Sequence, residues 1–294
     1  MAVSMAGFTV NDVIAKVASE SMNTGQVMLV RGLFASALVA LLAWQQGALA
    51  MPRTMMHPAV VLRVGAEALA TATFLVALAK MPLANVSAVL QALPLAVTMG
   101  AALVFGEGVG WRRWLAIATG FLGVMIIVRP GFDGFNAYSL LVLLCVVICA
   151  VRDLATKAIP VEIPTLLVST ATAVTVTVCG ALLVQPMGGW APMSWSTTGL
   201  IAIGAALLLV GYQFIIMAMR VGEISFIAPF RYTALLWAIL MGYLVFDDIP
   251  DLAMIIGSAI IVVSGLYTLY RERVRGVRKT AAESTGPSMA PDGL

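Results

Sequence analysis

Predominantly apolar runs follow one another along the chain at 3–19, 25–45, 60–79, 85–105, 112–129, 137–157, 164–185, 198–219, 224–246 and 251–270, each bounded by Gly, Pro or a charged residue. About 20 such residues, wound as a helix, cross a hydrocarbon layer roughly 30 Å thick. Lipid offers no partner to backbone N–H and C=O groups, so each run is predicted to be a helix, and the period-two alternation of strands is not seen. The pattern predicts an all-α integral membrane protein of ten transmembrane helices.

Composition agrees with the pattern. Of 294 residues, 61% are hydrophobic and 11% charged, whereas a soluble domain is roughly 45–50% apolar and about 25% charged. The net charge of +3 leaves no footprint for nucleic acid. Its distribution says more: with the N-terminus in the cytoplasm, Arg53, Arg63, Arg112, Arg113, Arg152, Lys157, Arg220, Arg271, Arg273, Arg275, Arg278 and Lys279 fall on the cytoplasmic side, against Lys16, Lys80 and Arg129 opposite. That bias predicts both termini inside. Residues 271–294 begin basic and turn rich in Ser, Gly and Pro, and are expected to form a disordered cytoplasmic tail. The first run lacks a basic leader and a small-residue cleavage site, so it is expected to stay in the membrane. Cys145, Cys149 and Cys179 lie in apolar runs without metal-ligand spacing and are expected to pack as small hydrophobes.

The two halves resemble each other at a nearly fixed offset. Asn11-Asp12-Val13-Ile14-Ala15-Lys16 aligns with Arg152-Asp153-Leu154-Ala155-Thr156-Lys157, Phe74 and Lys80 with Phe214 and Arg220, and Phe105-Gly106-Glu107 with Phe246-Asp247-Asp248. Five helices is an odd number, so the second copy enters the membrane the opposite way. The chain is therefore divided into repeats at 1–136 and 137–270, inverted in topology. Such repeats belong to many secondary transporters, whose substrate site lies near the midplane between the halves. Pro94 and Pro229 sit in corresponding runs, and each removes a backbone donor and frees a carbonyl, either to face a cavity or only to shape packing.

Four stretches carry a family resemblance: Gln26-x4-Arg31-Gly32, Ala79-Lys80-Met81-Pro82-Leu83-Ala84 leading to Pro94, Phe105-Gly106-Glu107 before Arg112-Arg113-Trp114, and Gly120-x2-Gly123 before Arg129-Pro130-Gly131. In this order the chain resembles the drug/metabolite transporter superfamily, specifically its ten-helix EamA-type permeases. The resemblance implies a bacterial inner-membrane carrier with a central cavity formed by helices one to four and six to nine, and transport without nucleotide hydrolysis. The second half departs from the pattern: Thr170 stands opposite Arg31 and Asp247-Asp248 replaces Gly-Glu, so a substrate with unlike ends fits better than a symmetric one.

An ionisable group inside the bilayer costs several kcal/mol, roughly 2.5–3.5 on insertion scales, and so needs a partner or a cavity. Asp12, Glu67 and Asp153 are candidates for proton coupling; their alternative is pairing at i,i+4 with Lys16, Arg63 and Lys157. Arg31 and Arg231 are candidates for a substrate carboxylate, although Arg31 has the alternative of reaching the interface. Asn11, Gln91, Tyr212, Gln213 and Tyr232 add hydrogen-bonding groups, and Trp237 and Phe214 an apolar wall. Pro94 and Pro229 are the expected kinks. The chain has no phosphate-binding G-x-x-x-x-G-K-[ST] loop, which excludes direct ATP drive; no cofactor or metal is expected, and His57 stands alone. Ala116-x3-Gly120 and Ala253-x3-Gly257 allow close helix packing, read as intramolecular in a monomer. Together with the resemblance, whose bacterial members include such carriers, these residues lead to an exporter of amino acids, aromatic ones included, or similar small metabolites, with uptake of a vitamin or nucleoside-like metabolite such as riboflavin or S-adenosylmethionine as the alternative. A membrane scaffold or intramembrane enzyme is the reading from another class, and the lone His57 speaks against an enzyme.

Overall fold

A computed structural model describes residues 1–45, 55–106, 108–130, 136–160, 162–221 and 228–274. Among these the regular structure is helical. The elements are α1 (Ala2–Ser21), α2 (Thr24–Gln45), α3 (Pro58–Lys80), α4 (Leu83–Val104), α5 (Trp111–Val128), α6 (Tyr138–Lys157), α7 (Thr165–Val184), α8 (Trp195–Val221), α9 (Pro229–Phe246) and α10 (Leu252–Val274). Eight are long and apolar enough to span a bilayer by length and composition. The other two are α1, made more polar by Asn11, Asp12 and Lys16, and α8, whose apolar stretch is Trp195–Gly211. Leu33, Leu41, Leu122, Leu182, Leu236 and Leu244 stand exposed on these helices, the outward apolar surface that a lipid environment requires. The chain is thus a multi-pass all-α membrane protein.

Two helices are interrupted where the sequence places proline. α4 breaks after Leu90 and resumes at Leu93, with Pro94 in the first turn of the new segment, where a missing N–H costs nothing. α9 opens as a 3-10 turn, Ala228–Tyr232, containing Pro229, before its α-helical part from Thr233 to Phe246. The expected start of this run at 224 lies outside the described residues, as do Glu107 and residues 275–294. α10 continues to Val274, so the tail expected from 271 starts as helix.

The helices pack in antiparallel pairs. α2 lies on α7, with Gly25 against the backbone of Leu183 and Val184 and Gly180 against Met28 and Leu29; a Cβ on either glycine would come within 2.6 Å and 2.5 Å of that backbone. Only glycine permits such contact. α5 lies on α10 through Gly123 and Gly257, where a Cβ would meet the opposite glycine's carbonyl oxygen at 2.7 Å and 2.6 Å. The close packing expected of Gly120 and Gly257 is thus made within the chain. α3 lies on α6, where Cys145 Sγ donates to the Ala70 carbonyl at 3.5 Å, and α1 lies on α8, where Phe8 covers Gly211. Gln91 Nε2 donates to the Arg231 carbonyl at 3.4 Å, joining α4 to α9. The largest buried cluster fills the space among α3, α4, α5, α6, α9 and α10.

Candidate functional site

Between α1, α2, α3, α4 and α6 lies a cavity with about 100 Å³ of room for solvent, bordered also by Leu208 of α8 and Ala234 of α9. Asp12 is ten residues into α1, about 15 Å along a helix rising 1.5 Å per residue, so the cavity sits at mid-depth. Its polar wall is Asn11, Asp12, Arg31, Glu67, Gln91 and Arg152; its apolar wall includes Phe8 and Phe74.

At one side, Asn11 Nδ2 donates to Asp12 Oδ1 at 3.2 Å. Asn11 is 2% exposed and its Oδ1 accepts no hydrogen bond; Nη1 of Arg31, also buried, donates none. A buried polar atom without a partner costs free energy. Both residues line the cavity, and a small side-chain turn would bring the unused acceptor and the unused donor to a ligand or water that recovers that cost. Arg31 reaches inward and acts electrostatically on Asp12. Lys16, the expected i,i+4 partner of Asp12, instead donates to the Leu78 carbonyl at 3.2 Å and to that of Met81, with its ammonium 5.1 Å from the Phe246 ring centre. It closes the bundle at the end of α1 remote from Met1.

At the other side stands Arg152, 1% exposed. Its Nε and Nη2 both lie 2.7 Å from Asp153 Oδ1, and its Nη1 is 3.1 Å from Glu67 Oε2 across on α3. The basic-residue bias counts Arg152 and Arg63 on the cytoplasmic side; both are buried within helices, and Arg63 Nη1 donates to Thr172 Oγ1 at 2.6 Å. The expected pairing of Asp153 with Lys157 gives way to Arg152, and Lys157 lies 5.0 Å from the Phe105 ring. Glu67 likewise takes Arg152 as its ion-pair partner. Asp153 is 2% exposed and stands behind Arg152 rather than on the cavity surface. Cys145 and Cys149 line the cavity next to Arg152, their Sγ atoms 3.9 Å apart.

The cavity therefore brings together Asn11, Asp12, Arg31, Glu67 and Gln91 from the sequence candidates. Arg231 is buried beyond it, acting electrostatically on Asp153. Tyr232 turns toward α10, packed on Leu269 and over Gly265. Trp237 backs the cavity wall against Met5 and Phe8, whereas Phe214 is exposed. The side chains of Tyr212 and Gln213 lie outside the described residues. Among the described residues no group of three or more His, Cys, Asp and Glu side chains is placed to hold a metal. Arg152 is the site residue that sequence reasoning missed; it lies five residues inside the end of an apolar run, which was the available signal.

Comparison with known proteins adds a family. The profile of the EamA-like transporter family matches residues 1–129. A riboflavin transporter of Rhizobium johnstonii is 30% identical over 227 residues, 74% of this chain and 72% of the relative. An S-adenosylmethionine uptake transporter of Rickettsia prowazekii is 24% identical over 272 residues, 92% and 91% of the two chains. The pseudopaline exporter CntI of Pseudomonas aeruginosa is 27% identical over 263 residues, 87% and 90%.

Proposed function

Since the chain belongs to the EamA-like transporter family and so moves a small molecule across a membrane, we propose that its cargo is an amino acid or a similar small metabolite, carried outward from the cytoplasm. The observation that carries this reading is that Arg31 and Asn11, each with a buried group left without a hydrogen-bond partner, line a mid-depth cavity together with Phe8 and Phe74. An unused donor and an unused acceptor on residues of one cavity suit a polar head that both accepts and donates, and the aromatic rings suit an apolar side chain. The small size of the cavity favours a compact cargo.

The carrier works by alternating access between two inverted repeats, 1–136 and 137–270, in a bacterial inner membrane with both termini cytoplasmic. The pairing of helices supports this. Helices five apart in order, α2 with α7 and α5 with α10, run antiparallel to each other, and exchanging each helix for the one five places away turns the α1–α8 pair into α6–α3. Outward transport has a relative in the pseudopaline exporter. Uptake of a vitamin or nucleoside-like metabolite is the second reading, favoured by the relatives named for riboflavin and S-adenosylmethionine.

Purified protein in liposomes, preloaded with unlabelled compound and presented with labelled amino acids, S-adenosylmethionine or riboflavin, tests the proposal. Counterflow of at least one amino acid is expected, with Arg31→Ala and Asn11→Ala each weakening it about tenfold or more, the scale of a lost charge-assisted hydrogen bond. Counterflow of riboflavin alone selects the second reading, and counterflow of none rejects both.

A further inference from the structure

Arg152 holds its two carboxylates unequally. Asp153, adjacent in sequence, grips two of its nitrogens, and neither residue exceeds 2% exposure. Glu67 comes from the facing helix, touches one nitrogen at 3.1 Å, is 14% exposed and lines the cavity. One carboxylate is thus part of the wall, and the other is a single-point contact reached from the substrate space. A buried guanidinium cannot be left without enough negative charge around it. We propose that Glu67 is a built-in stand-in for cargo: its carboxylate occupies, in the empty carrier, the place at Arg152 Nη1 that a carboxylate of the substrate takes in the loaded one. This rests on the transport reading above and names the cargo's chemistry as a carboxylate.

The exchange has a defined geometry. The substrate carboxylate accepts from Arg152 Nη1 as Glu67 lets go, while Asp153 keeps the guanidinium in place. The amino end of the same molecule then faces Asn11 Oδ1 and Asp12 across the cavity. On release, Glu67 returns, so the empty carrier crosses back without an exposed, uncompensated arginine. A carrier that needs its own counter-charge for the empty return, and a substrate for the loaded crossing, is built to tie the two halves of its cycle together.

The test separates exchange from net flux in proteoliposomes, using L-methionine and S-adenosylmethionine as carboxylate probes and riboflavin as a probe without one. Glu67→Gln, which keeps the shape and removes the charge, is expected to bind the carboxylate probes about tenfold more tightly and to keep counterflow while net flux falls about tenfold, each tenfold step equalling about 1.4 kcal/mol. Glu67→Asp, which keeps a charge at shorter reach, is expected to fall between the two and serves if Glu67→Gln does not fold. Equal loss of counterflow and net flux in a folded variant overturns the inference, as does unchanged or weakened binding of the carboxylate probes in Glu67→Gln. Transport of riboflavin alone overturns it while leaving a carrier; transport of no probe removes the carrier as well.

Discussion

Arg152 sets the energetics of the site because a charge that cannot reach water must find its balance within the protein. Its side chain and that of Asp153 are 1% and 2% exposed. Taking away one partner of such a buried set costs about 3–5 kcal/mol, since the remaining charges lose their compensation. Arg152→Met is expected to lower the melting temperature in detergent substantially, by thermal scanning of the purified protein. Adding Asp153→Asn to it should restore part of the loss, because the carboxylate left behind is then removed; a double variant no better than the single one argues against charge as the cause. The acids of this site were legible as letters, since Asp12, Glu67 and Asp153 interrupt apolar runs. Their partners were not. The i,i+4 rule describes neighbours on one helix, whereas Glu67 finds its partner on a facing helix 85 positions away. Arg152 was hidden by its closeness to Lys157 at the end of the run, which put both in the count of cytoplasmic-side charges. Cys145 and Cys149 read as filler, yet border the cavity.

At the scale of elements, hydrophobic length alone located the helices to within a few residues, because the bilayer sets one requirement for all of them. What length does not encode is the face each helix turns inward. Tyr232 illustrates this: it follows Arg231 in sequence, but the 3-10 turn at the start of α9 aims it at α10. The glycine seams are similarly visible as small-residue spacing while their partners are not. The α5–α10 seam is expected to resist any side chain. Gly123→Leu or Gly257→Leu drives new atoms into a backbone carbonyl, and a destabilisation of about 1–3 kcal/mol follows from overpacking. Gly65→Ala and Gly199→Ala, which meet nothing within 4 Å, are expected to be close to neutral. Detergent melting curves of the four variants make the comparison, and equal effects at all four positions contradict it.

For the whole molecule, the sealed end is as informative as the cavity. Asn23 Nδ2 donates to the Gly189 carbonyl at 2.5 Å, and Gln26 exchanges two hydrogen bonds of 2.9 Å with Ala191. With Lys16 over Leu78 and Met81, these contacts hold α1, α2, α3 and the α7–α8 connection together at that end. In the alternating-access cycle proposed above, they part once per cycle. In a variant with Cys145, Cys149 and Cys179 replaced by Ala, a disulfide between Asn23→Cys and Gly189→Cys is expected to stop counterflow, and reductant to restore it. Unchanged counterflow with the cross-link fully formed would place the moving parts elsewhere.

The backbone contacts that Gly25 makes with Leu183 and Val184, and Gly180 with Met28 and Leu29, narrow where those parts can be. Rotamer changes let one helix ratchet past another, and where Gly25 and Gly180 meet the facing backbone there is no side chain to rearrange. In the proposed cycle the two helices are expected to turn as a body rather than slide apart. The flexing must then fall to the joints built from side chains, where α1 meets α8 and α3 meets α6. The second of these joints carries the Glu67 to Arg152 contact, so the element that senses cargo and the element that yields are the same.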